Sequence, residues 1–288
     1  MKDRLDPLIA ERAPWLFSPG AGRQLARAML NKVLGYEKTV ALAAALSDSP
    51  AAAIMDTMAQ RLARDIRVSG LSNIPAHGPA LIVANHPTGI GDGIMLWHAL
   101  SRIRPDLYYF ANADILRVLP QMNRLIAPVE WRHNKRSHAK TRDTMAYTRA
   151  AMSEGRLGVI FPSGRLAKRR GLRLYERPWM TSAAMIARKF DLPVVPINIR
   201  ARNSVLFYLF DLIHPTLRDI TLFHETLNKA HQPFRIAIGE PIQPRALPQN
   251  SEQATDVLRR ATLALGGRHS PTVSLVDMTL AKWVRHPA

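Results

Sequence analysis

The 288-residue chain has no cysteine. That excludes disulfides, thiolate catalysis and cysteine-ligated zinc, and it permits a reducing compartment. Long apolar runs are missing too. Nothing approaches the ~18 residues of a bilayer-crossing helix, so the expectation is a chain that is soluble or attached to a membrane surface. The opening MKDRLDPLIAERAPW carries acids and no apolar core, and does not read as a signal peptide. Acids are scarce: 22 Asp and Glu stand against 40 Lys and Arg, a formal charge of +18. Such a surplus says little about fold, but it favours polyanionic partners: nucleic acid, anionic lipid or phosphorylated substrates. No set of histidines and acids has metal-ligand spacing, so no metal is expected.

With 47% hydrophobic and 22% charged residues, the chain can bury a core in one large domain with a small appendage. The positive charge is concentrated. Between Arg132 and Lys189, 15 Lys and Arg face three acids (Asp143, Glu154, Glu176), a balance of +12. That stretch reads either as a solvated face or as a surface that meets anions.

Residues 1–65 read as an N-terminal helical cap. Within Ala21–Leu46, Leu25, Met29 and Val33 recur every four residues among Arg23, Arg27 and Lys32. That pattern suits a helix lying on a membrane surface, and equally one packed on its own core. Asp48-Ser49-Pro50 marks a break and a new helix start. From Ile66 short apolar runs alternate with helical ones. Strands are predicted at 66–68, 80–84, 106–110, 157–161, 193–199 and 234–238, and helices at 94–100, 142–153, 180–189 and 251–265. This alternation predicts an α/β fold, a mostly parallel central sheet flanked by helices, with residues 66–288 as the catalytic domain.

The most informative segment is Asn85-His86-Pro87-Thr88-Gly89-Ile90-Gly91-Asp92-Gly93. It follows a buried strand, and functional residues in α/β sheets gather at the carboxyl ends of strands. On one continuous helix, His86 and Asp92 would be turned about 600° apart. Pro87, Gly89 and Gly91 argue instead for an irregular loop that folds the carboxylate back toward the imidazole. A neutral imidazole can take the proton of an alcohol, and a carboxylate on its other nitrogen fixes the tautomer. The same segment also fits a histidine in a glycine-rich turn with Asp92 as a helix cap. Downstream, Pro162-Ser163-Gly164-Arg165 follows another buried strand. Arg165 there can clamp a phosphate or carboxylate, with backbone N–H groups around Gly164 close by. Lys168, Arg169 and Arg170 follow at once.

These residues resemble the His-acid motif of PlsC-type lysophospholipid acyltransferases. Five residues separate His86 from Asp92 where most of that family has four, and the longer form is similar to a hemolysin-like subgroup related to lyso-ornithine-lipid acyltransferases. Three further blocks fall in the family's order: Pro128 to Arg132, Val159 to Arg165, and Pro193 to Ile197. Arg202-Asn203-Ser204, His214-Pro215, Leu227-Asn228-Lys229 and Ile238 to Ile242 resemble the subgroup's downstream pattern. The resemblance implies O-acyl transfer from acyl-CoA or an acyl carrier protein to the hydroxyl of a lyso-lipid. His86 is then the base, Asp92 its partner, and Asn85, Arg132, Ser163, Gly164 and Arg165 contact substrate. It implies no cofactor beyond the thioester co-substrate, and a peripheral place on the inner face of the cell membrane. Ser163 stands where the family usually has Glu. That points away from glycerol-3-phosphate or lysophosphatidate and toward another head group, such as a lyso-aminolipid. Two other readings stand beside this one: the charge also suits a nucleic-acid-binding protein, though no zinc-finger or RNP-like motif is present, and the Ser163 departure also suits a non-catalytic lipid- or carrier-binding member of the same fold.

Overall fold

The computed structural model describes residues 1–130 and 137–280. Arg132, expected to contact substrate, lies outside them. Ten strands are formed: β1 (Ile66–Ser69), β2 (Ala80–Ala84), β3 (Tyr108–Asn112), β4 (Ile126–Val129), β5 (Leu157–Ile160), β6 (Lys168–Arg170), β7 (Arg173–Tyr175), β8 (Val194–Arg200), β9 (Phe234–Ile238) and β10 (Thr272–Ser274). Among the described residues the helices are α1 (Lys2–Arg12), α2 (Ala21–Val33), α3 (Tyr36–Ala45), α4 (Ala51–Leu62), α5 (Ile90–Leu100), α6 (Asp114–Val118), α7 (His138–Ser153), α8 (Ser182–Lys189), α9 (Val205–Ile213), α10 (Pro215–Asn228), α11 (Ser251–Ala264) and α12 (Leu275–Leu280). No described helix is long and apolar enough to cross a membrane.

The main sheet has the order β1-β9-β8-β2-β5-β3-β4. Every pairing is parallel except β8 with β9, so the expected mostly parallel α/β sheet is what forms. β2 lies at its centre, and all five of its residues are buried, as a parallel strand covered on both faces requires. Alternation sorts its side chains. Ala80, Ile82 and Ala84 join a core with α1, α4 and α5, while Leu81 and Val83 join one with α7, α8 and α11. Leu5, Leu8, Ile54 and Met58 of the N-terminal helices therefore share a core with the sheet.

Several details differ from the sequence reading, among them the helices α9 and α10, which it did not predict. The Ala21–Leu46 stretch is two helices, broken at Gly35 with φ +64°, a conformation that glycine adopts without a Cβ penalty. β4 has no counterpart among the predicted strands. It is four residues long and contains Pro128, and it is tolerated because it forms the sheet's edge. A second, antiparallel sheet (β10-β7-β6) carries the cations Lys168 to Arg170 on a hairpin.

Candidate active site

His86 follows the carboxyl end of β2, between β5 on one side and β8 on the other. The strand's ladder ends at Ala84. Gly89, with φ +88°, turns the chain so that α5 begins at Ile90. The helix thus starts earlier than the sequence reading placed it, and Asp92 sits in its first turn. The Asp92 carboxylate reaches back over that turn. Oδ2 accepts from Thr88 N (2.9 Å) and Gly89 N (3.1 Å), and Oδ1 from Thr88 Oγ1 (2.6 Å). These donors and the positive end of the helix hold a fully buried negative charge.

The His86 Nδ1 atom stands 2.9 Å from Asp92 Oδ2. The contact is short in distance but off the line of an ideal hydrogen bond. The ring plane is set by stacking on Phe161, with centroids 4.1 Å apart and planes 24° from parallel. An ionised carboxylate only accepts, so Nδ1 carries the hydrogen and Nε2 holds the free lone pair. His86 also lines the cleft. The expected pairing is thereby realised in space, with the imidazole on the cleft wall and the carboxylate hidden behind it.

The cleft measures about 2120 Å³, well above the ~300–1,000 Å³ of most small-molecule pockets. One part is walled by aliphatic and thioether side chains of the N-terminal helices and α5, including Leu8, Leu42, Ile54, Met58 and Ile94. The other part carries Arg165, Arg177 and Arg218. Among the described residues no acid or carbonyl holds the Arg165 guanidinium. Arg177 donates to the Leu166 carbonyl (2.9 Å), and Arg218 is held by Asp211 and Asp219. Burial lowers the Arg177 pKa, and the neighbouring Arg165 and Arg218 lower it further. Like charges gathered on the wall of the cleft that His86 also lines form a ready anion site. Arg177 and Arg218 escaped the sequence reading because neither sits in a recognisable block.

The remaining expected contacts are placed differently. The Asn85 amide is buried and bonded at both ends to Ile199 of β8, donating to its carbonyl (2.8 Å) and accepting from its N–H (2.7 Å). It pins two strands together and is not on the cleft wall. Gly164 does line the cleft, but its own N–H is engaged by the Phe161 carbonyl (2.9 Å) and is not free for an anion. Its φ is +60°, and a Cβ there would come within 2.9 Å of Met180 Cε. Ser163 is buried and turned inward, with Oγ 2.8 Å from the Arg165 carbonyl.

Ser163 is among the polar groups around Glu176, where it lowers the glutamate's pKa slightly. Glu176 accepts from the His86 backbone N–H (3.1 Å) and Trp179 Nε1 (3.0 Å), and so ties the His86 loop to the 162–179 segment. Burial raises its pKa above the ordinary glutamate value, against the opposing pull of the His86 and Trp179 donors. A raised native value means that the folded chain holds this proton more tightly than the unfolded chain. Its contribution to stability therefore falls as pH climbs from the ordinary glutamate value through the raised one. Glu176→Gln removes that titration but sets an amide N–H against a backbone donor. In urea unfolding from acid to neutral pH, wild type should be the more stable, by a margin that narrows as pH rises. A constant margin would contradict the assignment.

Behind Asp92 lies a second buried charge pair, which explains two sequence motifs of no obvious purpose. Lys229 Nζ donates to Glu225 (2.7 Å), the Arg202 carbonyl (3.2 Å) and the Asn203 side chain. Glu225 also accepts from Ser204 N (3.1 Å). Arg202-Asn203-Ser204 and Leu227-Asn228-Lys229 are therefore the two halves of one network. A Cβ on Gly91 would be 3.2 Å from Lys229 Cε, so the network packs directly beneath the helix turn that carries Asp92. Both charges are essentially inaccessible. Lys229→Met, which strands Glu225, should cost about 3–5 kcal/mol in denaturant unfolding; a loss under about 1 kcal/mol would mean that Glu225 does not depend on the lysine.

The family model described as Acyltransferase matches residues 65–200, from β1 to the end of β8. A lyso-glycine lipid O-acyltransferase of Phocaeicola vulgatus is 27% identical over 184 residues, and one of Bacteroides thetaiotaomicron is 24% identical over 183. Each match covers 62% of this chain, and 64% and 65% of the two relatives' own lengths. The crystal structure of the 1-acyl-sn-glycerophosphate acyltransferase PlsC from Thermotoga maritima superposes with a TM-score of 0.52 at 13% identity, covering 86% of this chain and 98% of that one. The fold is shared.

Proposed function

We propose that the chain is an acyltransferase of the PlsC-like kind, a reading that the family model over residues 65–200, the lyso-glycine lipid O-acyltransferases and the shared fold support, and that it moves a fatty acyl group from a thioester, acyl-CoA or acyl carrier protein, to the hydroxyl of a lyso-lipid at a membrane surface on the cytoplasmic side. The observation that carries this reading is the His86–Asp92 pair, opening into a cleft that is apolar at one part and arginine-lined at another. The volume leaves room for two substrates, one of them a long chain.

In this mechanism His86 Nε2 takes the acceptor's hydroxyl proton as the oxygen attacks the thioester carbonyl. The C–O bond forms, the C–S bond breaks, and the imidazolium returns its proton to the departing thiolate. Asp92 keeps the ring in its productive tautomer and stabilises its charged form. No acyl-enzyme is required, because the acceptor is itself the nucleophile.

The curated relatives are named for a lyso-glycine lipid. An acceptor head group with a carboxylate suits the arginine-lined part of the cleft, where the Arg165 guanidinium has no acid partner among the described residues. Arg165→Gln should raise acceptor KM by about 10- to 100-fold, the worth of one charge-assisted hydrogen bond, and change kcat much less. An unchanged KM would remove Arg165 from head-group binding. The reading as a whole is tested by incubating the protein with acyl-CoA or acyl carrier protein and a panel of lyso-lipids while following thiol release. Acceptor-dependent release is expected. No release with any pairing would end it.

A further inference from the structure

α9 has an apolar side that nothing in the described chain covers. Phe207 is buried, and Leu206 and Phe210 pack on a cluster with Leu16, Leu34 and Ile220. Val205, Leu209, Leu212 and Ile213 face outward at 74%, 50%, 67% and 62% exposure. Their spacing of i, i+4, i+7 and i+8 makes them one stripe. Four large aliphatic side chains side by side in water are unusual on a monomeric surface and mark an interaction site.

The neighbourhood says what kind. The β6–β7 hairpin is tied to α9 through Arg169 Nε, 3.7 Å from Asp211 Oδ2, and through Tyr208, which packs on the hairpin's Leu174. Its turn, Gly171-Leu172, ends in a leucine 66% exposed, flanked by exposed Lys168, Arg170 and Arg173. Leu30 of α2 packs on the same cluster as Leu206 and Phe210, and Leu25, Met29 and Val33 of α2 are exposed as well, with Arg23 and Lys32 among them. The one acid on α9, Asp211, is paired with Arg169 and Arg218. Exposed aliphatics rimmed by exposed cations match a bilayer whose surface is anionic: the aliphatics enter the acyl boundary and the cations meet head groups. A protein partner would have to offer both features on one face. The surface also adjoins the cleft, since Leu166 leads into the hairpin and Arg218 binds Asp211, and both line the cleft wall.

We infer that α9 and the tip of the β6–β7 hairpin, continued by α2, are the face on which this protein sits on anionic bilayers, bringing the cleft within reach of lipid. The inference rests on the reading that the acceptor is a membrane lipid, and its test separates the two. Wild type and a Leu209→Ser, Leu212→Ser, Ile213→Ser variant, all exposed positions away from the cleft wall, are floated with vesicles of phosphatidylcholine alone or mixed with phosphatidylglycerol. Wild type should float with the mixed vesicles, in a salt-sensitive way, and the variant at least tenfold less. On acceptor dispersed in detergent the two should turn over equally; on acceptor embedded in vesicles the variant should lag. Equal flotation of the two proteins, or no flotation of wild type, overturns the proposal. So does a wild type that is dimeric in solution and a variant that is monomeric, which would make the stripe a subunit interface. If wild type floats through the stripe yet acylates no acceptor, the docking face stands and the enzymatic reading fails.

Discussion

His86→Ala is expected to lower acceptor-dependent thiol release by about 10²–10⁴-fold, the range that a positioned general base contributes. An alcohol holds its proton far too tightly at neutral pH to attack unaided, so the rate depends on a base within hydrogen-bond reach. No described neighbour is placed to substitute. Asp92 is fully buried behind the ring, Glu176 is buried and bonded to the His86 backbone, and Glu130 is paired with Lys140. The alanine should still fold, because the loop is held by backbone and Asp92 contacts that the ring does not make: Thr88 and Gly89 on Asp92, Ala167 N on the His86 carbonyl, and Glu176 on the His86 N–H. Circular dichroism and unfolding midpoint should therefore stay near wild type while turnover collapses. A variant retaining more than a tenth of wild-type kcat would show that the imidazole is not the base.

How much of this was legible beforehand depended on whether the cause was local. β2 could be read because five consecutive buried apolar residues have few other fates, and its central place follows from being covered on both faces. The His86–Asp92 pairing was legible because Pro87 and the glycines rule out one continuous helix between them. The mode of pairing was not, since it turns on α5 starting at Ile90 and on the Thr88 hydroxyl and N–H closing around the carboxylate. Asn85 looked like a site residue only by sitting next to His86; whether its amide faced the cleft or β8 depended on a strand 114 positions away. Glu176 lies 90 positions from the N–H it accepts, in a stretch without a motif, and nothing local marks it. Val205–Ile213 is apolar at all but one position, so periodicity did not say which side faced water. Packing of Leu206 and Phe210 beneath it decided that.

Asp92→Asn is the sharper test, because it keeps the shape and removes only the charge. The outcome depends on which way the amide turns. Oδ2 of Asp92 faces three donors, His86 Nδ1, Thr88 N and Gly89 N, while Oδ1 faces only the Thr88 hydroxyl. An asparagine must put its NH₂ on one side. Against the three donors it would meet N–H groups head on; against Thr88 Oγ1 it meets a hydroxyl that can rotate and accept. The carbonyl oxygen therefore stays beside His86, and Nδ1 keeps its hydrogen. The loss is then that of the negative charge which stabilises the imidazolium, and turnover should fall by about 10²-fold, the lower end of what base catalysis contributes. That is less than the ~10⁴-fold drop seen in a serine protease triad, where the corresponding change selects the wrong tautomer. Acceptor KM should move little, because the carboxylate is inaccessible to substrate. A fall of about 10⁴-fold would mean that the amide has turned the other way and the tautomer is lost. A D92N enzyme with wild-type kcat would leave the carboxylate as an anchor for the turn and nothing more.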